Sequence, residues 1–355
     1  MRIPSGVLLS GVLLCGGCAS VGPSMISNGR AVYNEGTNCT EDQQLLNLIV
    51  RERYDQTFGM LTVASVTATI KVSATTGAQF GIGPDSNFSG NLVPLSAGVA
   101  YEDSPTISYT PLGGEAFLSR MLTPITVMQG FLLLNAADDD AIWMRQLYRS
   151  INGLENPVGM PPSPKLERFF HLHSKLRRAG IAVLGRKAAT EGSEPAYYIR
   201  VSGYKDAYAD DVRDILEILG IRGVKADGQD ITLPIHMTVE SDTAAAINLQ
   251  TRSAYDVIRS AASMIEVPAA HHESGIVAPL EWAERDEQRF MTIRSSQDAP
   301  KNAVVAVQFR GWWYYIDATD TRSKRSFKVL RLLVGLRLAE KSADQKVPLL
   351  MVPVR

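Results

Sequence analysis

The chain has 355 residues, with 36 Lys or Arg against 37 Asp or Glu, a formal net charge of −1 and 45% hydrophobic residues. That balance excludes a disordered, collagen-like or disulfide-dense polypeptide. It also supplies no clustered basic surface to displace counterions from phosphates, so no nucleic-acid partner is expected.

Residues 1–17 carry one basic residue, Arg2, ahead of an apolar run over 7–14, followed by Gly16, Gly17 and Cys18. A basic start, a short apolar run and small residues are the parts of a secretory signal peptide. The run is too short for a span, since crossing ~30 Å of hydrocarbon as a helix takes about 20 apolar residues. Two glycines leave the backbone open to a peptidase, and the Cys18 thiol is then available for acylation. The stretch resembles a bacterial lipobox, with Cys15 standing where an aliphatic residue is usual. Cys15 is the poorer lipidation candidate because Leu14 precedes it. Several acyl chains such as palmitate, at ~0.8 kcal/mol per buried CH₂, would hold the protein permanently on a membrane. Ala19 follows the cysteine, so the expected location is the periplasmic face of the outer membrane; a soluble periplasmic protein is the alternative. Cys39 then has no intramolecular partner and is expected buried and inert.

A chain of this length is expected to form two domains. The stretch 152–164, NGLENPVGMPPSP, is dense in residues that break helices and strands. The expected division is an N-terminal α+β domain over 18–151, a linker over 152–164 and a C-terminal α+β domain over 165–355. Residues 190–195 form a shorter polar break.

In chain order, Thr40 with Gln43 reads as a capping box, and Leu45, Leu46, Ile49 and Val50 give the following helix one apolar face up to Tyr54. Residues 58–74, rich in Val, Thr and Ile, predict one long strand or two short ones. Residues 75–98 are Gly-, Ser- and Asn-rich and predict a hairpin connection or exposed loop. The sequence PTISYTP over 105–111 predicts a short strand at a sheet edge or at the start of an element. Helices are predicted over 114–121, 125–136 and 138–150, the last with acids at its first turn that suit the helix dipole. Pro164 opens a helix reaching Arg178. Strands at 182–184 and 197–202, a helix at 209–219, a strand at 231–239 and a helix at 253–265 follow. Strands at 290–294, 304–309 and 312–317 come next, the last two joined by Arg310 and Gly311 at hairpin spacing. A helix at 326–341 and a strand at 348–354 complete the chain. Helices interspersed with tight hairpins predict an α+β fold with mainly antiparallel or mixed sheets.

Few residues group as chemistry requires. His171 and His173 lie about 200° apart around a predicted helix and cannot chelate together. His271 and His272, in a predicted loop, are weak metal candidates, because a catalytic zinc needs three ligands and an open position and no HExxH is present. No cofactor is expected. There is no G-x-S-x-G elbow, and Ser323-Lys324 reads as a helix cap. The stretch 80–84 holds Gly81 and Gly83 but also Pro84, which removes an amide that a phosphate loop would use. Asp138, Asp139 and Asp140 lack the spaced ligands of a calcium loop and read as helix caps. Asp317 and Asp320 form a second acidic turn, expected to initiate the last helix. No catalytic residue is assigned.

The strongest local feature is Trp312, Trp313, Tyr314 and Tyr315. On a strand, Trp312 and Tyr314 share one face and Trp313 and Tyr315 the other. One pair should enter the core, and the other is a candidate binding platform. Lys324, Lys328 and Arg331 fall on one helix face, as a solvated surface or a contact for an anionic partner or lipid headgroups.

The blocks NLIVRERYDQTFGMLTVASVTA (47–68), PTISYTPLGGEAFLSRMLTPI (105–125), SINGLEN (150–156) and FRGWWYYIDATDTRSKRSFKVLRLL (309–333) are similar to the recurring blocks of an uncharacterised family of proteobacterial outer-membrane lipoproteins. The resemblance implies a cell-envelope location and carries no catalytic assignment. The expectation is a non-enzymatic binding or scaffold protein, membrane-tethered through Cys18 and facing another envelope protein. An envelope hydrolase acting on peptidoglycan, glycan or lipid, and a small-ligand or lipid-binding protein, are the alternatives.

Overall fold

The computed structural model describes residues 18–78, 95–112, 114–158, 160–188, 196–238, 245–280, 289–339 and 350–353. The signal segment 1–17, the glycine-rich stretch 80–84 and the polar break 190–195 lie outside these residues. The chain begins with α1 (Cys18–Arg53), β1 (Met60–Ala78), β2 (Leu95–Leu112) and α2 (Gly114–Leu122). Next come α3 (Val127–Ala136), α4 (Asp140–Leu147), β3 (Tyr148–Ile151), β4 (Leu154–Glu155) and α5 (Pro164–Arg178). These are followed by β5 (Ala182–Lys187), β6 (Ala196–Val201), α6 (Ala209–Ile218), β7 (Ile231–His236) and β8 (Ile247–Thr251). The remainder is α7 (Ala254–Ala262), α8 (Ala269–Glu273), β9 (Arg294–Ser296), β10 (Ala303–Phe309), β11 (Trp312–Asp317), α9 (Thr321–Ala339) and β12 (Leu350–Pro353). The fold is α+β, with antiparallel and mixed sheets.

Contacts divide the chain into two compact units, each assembled from separated segments. The smaller comprises Met1–Cys39, Met60–Leu112 and Lys346–Arg355, and the larger comprises Thr40–Gly59 and Gly113–Gln345. The stretch 152–164, expected as a linker, lies inside the larger unit. Asn152 and Gly153 take positive φ in the turn between β3 and β4. The Asn152 amide donates to the Leu219 and Ala246 carbonyls at 2.8 and 3.1 Å, which fastens the turn.

In the smaller unit, β1 and β2 pair antiparallel from Met60↔Leu112 to Ala78↔Leu95, and β12 adds to the other side of β2. The PTISYTP segment therefore sits in the central strand of this sheet, not at an edge. Pro111 and Pro105 pair with Leu61 and Ala68 of β1, and both lie just outside residues 106–109, which the described residues of β12 pair with.

The larger unit holds a six-stranded sheet in the order β4-β3-β8-β7-β6-β5 and a three-stranded sheet in the order β10-β11-β9. Alternation along β8 and β7 sends Ile247, Leu249, Ile231 and Leu233 to one buried face. There they meet Phe169 and Leu176 of α5 and Val212 and Leu216 of α6. Thr126 and Gln129 close a capping box at the start of α3, and Ser253 with Asp256 does the same for α7. The α1 residues Leu45, Leu46, Ile49 and Val50 are all buried, as their spacing requires. Thr40, expected to cap that helix, lies inside it. A capping-box pattern is local, whereas adding residues to an existing helix gains one bond per residue fixed.

Candidate functional site

The aromatic run and His271, both singled out in the sequence, meet at one place in the larger unit. The turn between β10 and β11 has φ of +49° at Arg310 and +81° at Gly311, the two positive values that a tight hairpin matching the strand twist needs. It sets Phe309 opposite Trp312 and Val307 opposite Tyr314. Tyr314 is fully buried. The second contributor is α8, a short helix started at Pro268, which buries His271 while leaving His272 exposed. The third is Tyr54, in the turn that ends α1.

The Tyr54 hydroxyl lies 2.5 Å from His271 Nδ1 and also bonds the Tyr314 hydroxyl. Tyr314 itself is 3.5 Å from Nδ1. Burial, with the Arg310 and His272 charges, lowers the His271 pKa, so the imidazole is neutral at pH 7. Burial raises the pKa of both tyrosines; the bond to Tyr54 raises that of Tyr314 further, while its bond to Tyr314 and nearby Arg53 and Arg310 temper that of Tyr54. Both hydroxyls therefore keep their protons. One arrangement gives both hydroxyl protons a partner: Tyr314 donates to Tyr54, Tyr54 donates to Nδ1, and the imidazole proton sits on Nε2.

Aromatic contacts close around this chain. The Tyr54 ring is 5.1 Å from Phe309, and His271 packs edge-on to Trp312 at 6.0 Å. The Arg51 and Arg310 guanidinium groups lie 5.6 and 5.7 Å from the Phe309 centroid. Chemically, the cluster is a neutral, polarised hydrogen-bond chain that fixes the hairpin against α1 and α8. Its inner face is Phe309, Trp312 and Tyr314. The opposite face carries half-buried Trp313 and Tyr315 beside exposed Gln308 and Arg294.

Of the expected basic face, only Lys328 is simply exposed. The Lys324 ammonium donates to the Ala318 carbonyl at 2.8 Å, and Arg331 is clasped by Glu41 and by Asp42, the latter at 2.6 Å. Cys18 is the first residue of α1. Cys39, expected buried, is exposed: it lies on an exposed stretch of the helix, a placement that residue type alone does not set.

The acidic trio divides its work. Asp139 caps α4 by accepting from Ile142 N at 3.2 Å, and Asp138 pairs with Arg325 at 2.5 Å. Asp140 is buried and takes Ser174 at 2.5 Å and Arg177 at 2.7 Å, with Arg178 beside them. Burial alone would raise its pKa, but these partners hold it below the ordinary carboxylate value. Asp320 accepts from Ser323 N at 3.0 Å and so helps start α9.

On α5, His171 is exposed, while His173 lines an apolar space beneath the six-stranded sheet together with Tyr148. His173 Nδ1 is buried without a hydrogen-bond partner. Burial pushes its pKa down to about 4 and that of Tyr148 up to about 12. Among the described residues, no group of three or more His, Cys, Asp or Glu side chains is placed to hold a metal, and no helix is long and apolar enough to cross a membrane. Tyr54 and Phe309 had no signal in the sequence; a tyrosine at the end of an amphipathic helix is unremarkable until its partner 260 positions away is known. The chain belongs to the α+β class, and it matches no family model, no curated protein and no solved structure.

Proposed function

We propose that this protein is a lipid-anchored component of the cell envelope, held through Cys18 at the periplasmic face of the outer membrane, whose folded body works by binding another envelope protein. The observation that carries the reading is the two-sided hairpin β10–β11. Its inner face is locked by the Tyr314–Tyr54–His271 chain, and its outer face presents Trp313 and Tyr315 among polar side chains. Aromatic anchors on a rigid base lose little conformational entropy on binding, which is why they dominate contact surfaces. The glycine–glycine–cysteine sequence at 16–18 supports the address.

Two experiments test the reading. Metabolic labelling with a palmitate analogue is expected to mark the wild type and leave Cys18→Ala unmarked; labelling of that variant contradicts the anchor. Affinity capture from cross-linked envelopes is expected to retain one reproducible protein that is lost with Trp313→Ala. Equal capture by that variant contradicts the contact surface.

A further inference from the structure

The smaller unit is built on strands of unusual length: β1 has 19 residues and β2 has 18, where strands of globular proteins run to about 3–10. Past an irregularity between Val63 and Ser65 the two pair without a break, from Ser65↔Ser108 to Ala78↔Leu95. Successive residues of a strand belong to opposite faces. Val66, Ala68, Ile70, Val72 and Ala74 therefore share one face, and Ser65, Thr67, Thr69, Lys71, Ser73 and Thr75 share the other. Strand β2 continues the division: Ile107, Pro105, Tyr101 and Val99 are the register partners of Val66, Ala68, Val72 and Ala74. Ser108, Thr106, Ser104 and Glu102 are those of Ser65, Thr67, Thr69 and Lys71, which puts opposite charges at paired positions of the polar face.

A sheet with one apolar face needs something apolar to cover it. Among the described residues, β12 alone is in extensive contact with the pair, and it adds a strand at the edge, not a second layer. The apolar stripe has the dimension of a bilayer. From Val66 to Ala78 a strand rises about 40 Å, which a tilt of about 45° reduces to about 28 Å, against an apolar band of about 25 Å in outer-membrane barrels. Asp103, the partner of Ile70, is the one charged residue on that face, and a carboxyl costs less there than a basic group. The edges point to further copies of the chain. Strand β12 pairs only with residues 106–109, so among the described residues neither 65–78 of β1 nor 95–105 of β2 has a further partner strand. Within a bilayer the backbone groups of an open edge cannot be left unpaired, and a closed barrel pairs them all. Such barrels have about eight strands or more, which two long strands per chain supply from roughly four copies upward.

We propose that β1 and β2 are a membrane-inserting pair, and that several copies of this chain join them edge to edge in a transmembrane β-barrel. The Val- and Ala-rich face meets the lipid, and the Ser- and Thr-rich face lines an aqueous lumen that passes small polar solutes. That the membrane is the outer one rests on the envelope location proposed above; the register and the alternation do not. Palmitate labelling of Cys18→Ala tests the location separately, so failure of the anchor is told apart from failure of the barrel.

The test adds the purified full-length protein to phosphatidylethanolamine–phosphatidylglycerol vesicles that hold calcein and a large dextran. Calcein is expected to escape and dextran to stay, and cross-linking of the vesicles is expected to give a discrete oligomer of roughly four copies or more. Val72→Lys and Ser73→Lys put the same charge on adjacent residues of opposite faces. Val72→Lys is expected to cut calcein release at least about tenfold, because a basic group on the lipid face opposes insertion. Ser73→Lys is expected to keep release within about twofold and to shift the reversal potential in planar bilayers toward anion selectivity. No calcein release by the wild type, escape of both markers alike, or a monomer after cross-linking overturns the proposal. So does wild-type release by Val72→Lys, or a Ser73→Lys variant that loses release to the same extent or keeps the wild-type selectivity. Wild-type release and the selectivity of Ser73→Lys decide the matter even if Val72→Lys fails to fold.

Discussion

Tyr54 is the middle member of the buried chain: its hydroxyl bonds that of Tyr314 and lies 2.5 Å from His271 Nδ1, which Tyr314 reaches only at 3.5 Å. Tyr54→Phe leaves the Tyr314 hydroxyl and His271 Nδ1 with only each other, at 3.5 Å, an expected cost of about 2–3 kcal/mol. Tyr314→Phe leaves the Tyr54–His271 bond in place, and about 1 kcal/mol is expected. Urea unfolding of the two variants checks the order; a larger loss for Tyr314→Phe would contradict it. His173 gives a pH dependence. Its folded pKa of about 4 lies below the unfolded value near 6.5, so the unfolded chain binds more protons in between. Stability is fully present above pH 6.5 and falls as pH drops toward 4, by up to about 3 kcal/mol. His271 acts in the same direction. His173→Leu is expected to flatten the fall between pH 6.5 and 4.5, a window above the titration of Asp140. At this scale the sequence made the aromatic run and His271 visible. It hid Tyr54, because a hydrogen bond between residues 217 positions apart leaves no periodic trace.

At the scale of elements, the buried Asp140 carboxylate ties α4 to α5. Asp140→Asn removes the charge that faces Arg177 and leaves that guanidinium without its ionic partner, with an expected loss of about 3 kcal/mol in urea unfolding. A loss under about 0.5 kcal/mol, the usual size for a surface change, would contradict this role. The β10–β11 turn depends on backbone conformation. Gly311→Ala places a Cβ at φ +81° and is expected to cost about 1 kcal/mol. Elements with strong local signals were legible: α5, with Pro164 at its first turn, and the β10–β11 hairpin fall where the spacing puts them. Elements fixed by distant partners were not. The helix predicted over 138–150 stops at Leu147, because Asn156 and Arg252 take the Arg145 carbonyl at 2.8 and 2.6 Å and Tyr148 pairs with Thr251. Strand β8 was missed since it is five residues long and includes Asn248, which has low strand preference; β3 and β7 on its two sides hold it.

At the scale of the whole molecule, the α+β class follows from alternating helical and strand periodicities, which is why it was readable. The grouping into units was not, since each draws on separated stretches of chain while proline-rich breaks mark only continuous divisions. Residues 40–59 join the larger unit through contacts such as Tyr54 with Tyr314, which no local pattern announces. The central claim is that the body acts by contact through the outer face of β10–β11. It is tested most directly by photo-cross-linking in living cells, with a photoreactive residue in place of Trp313. One discrete adduct to a single envelope protein, absent when the same probe replaces Lys328, is the expected result. No adduct from position 313, or the same pattern from both positions, would contradict the claim.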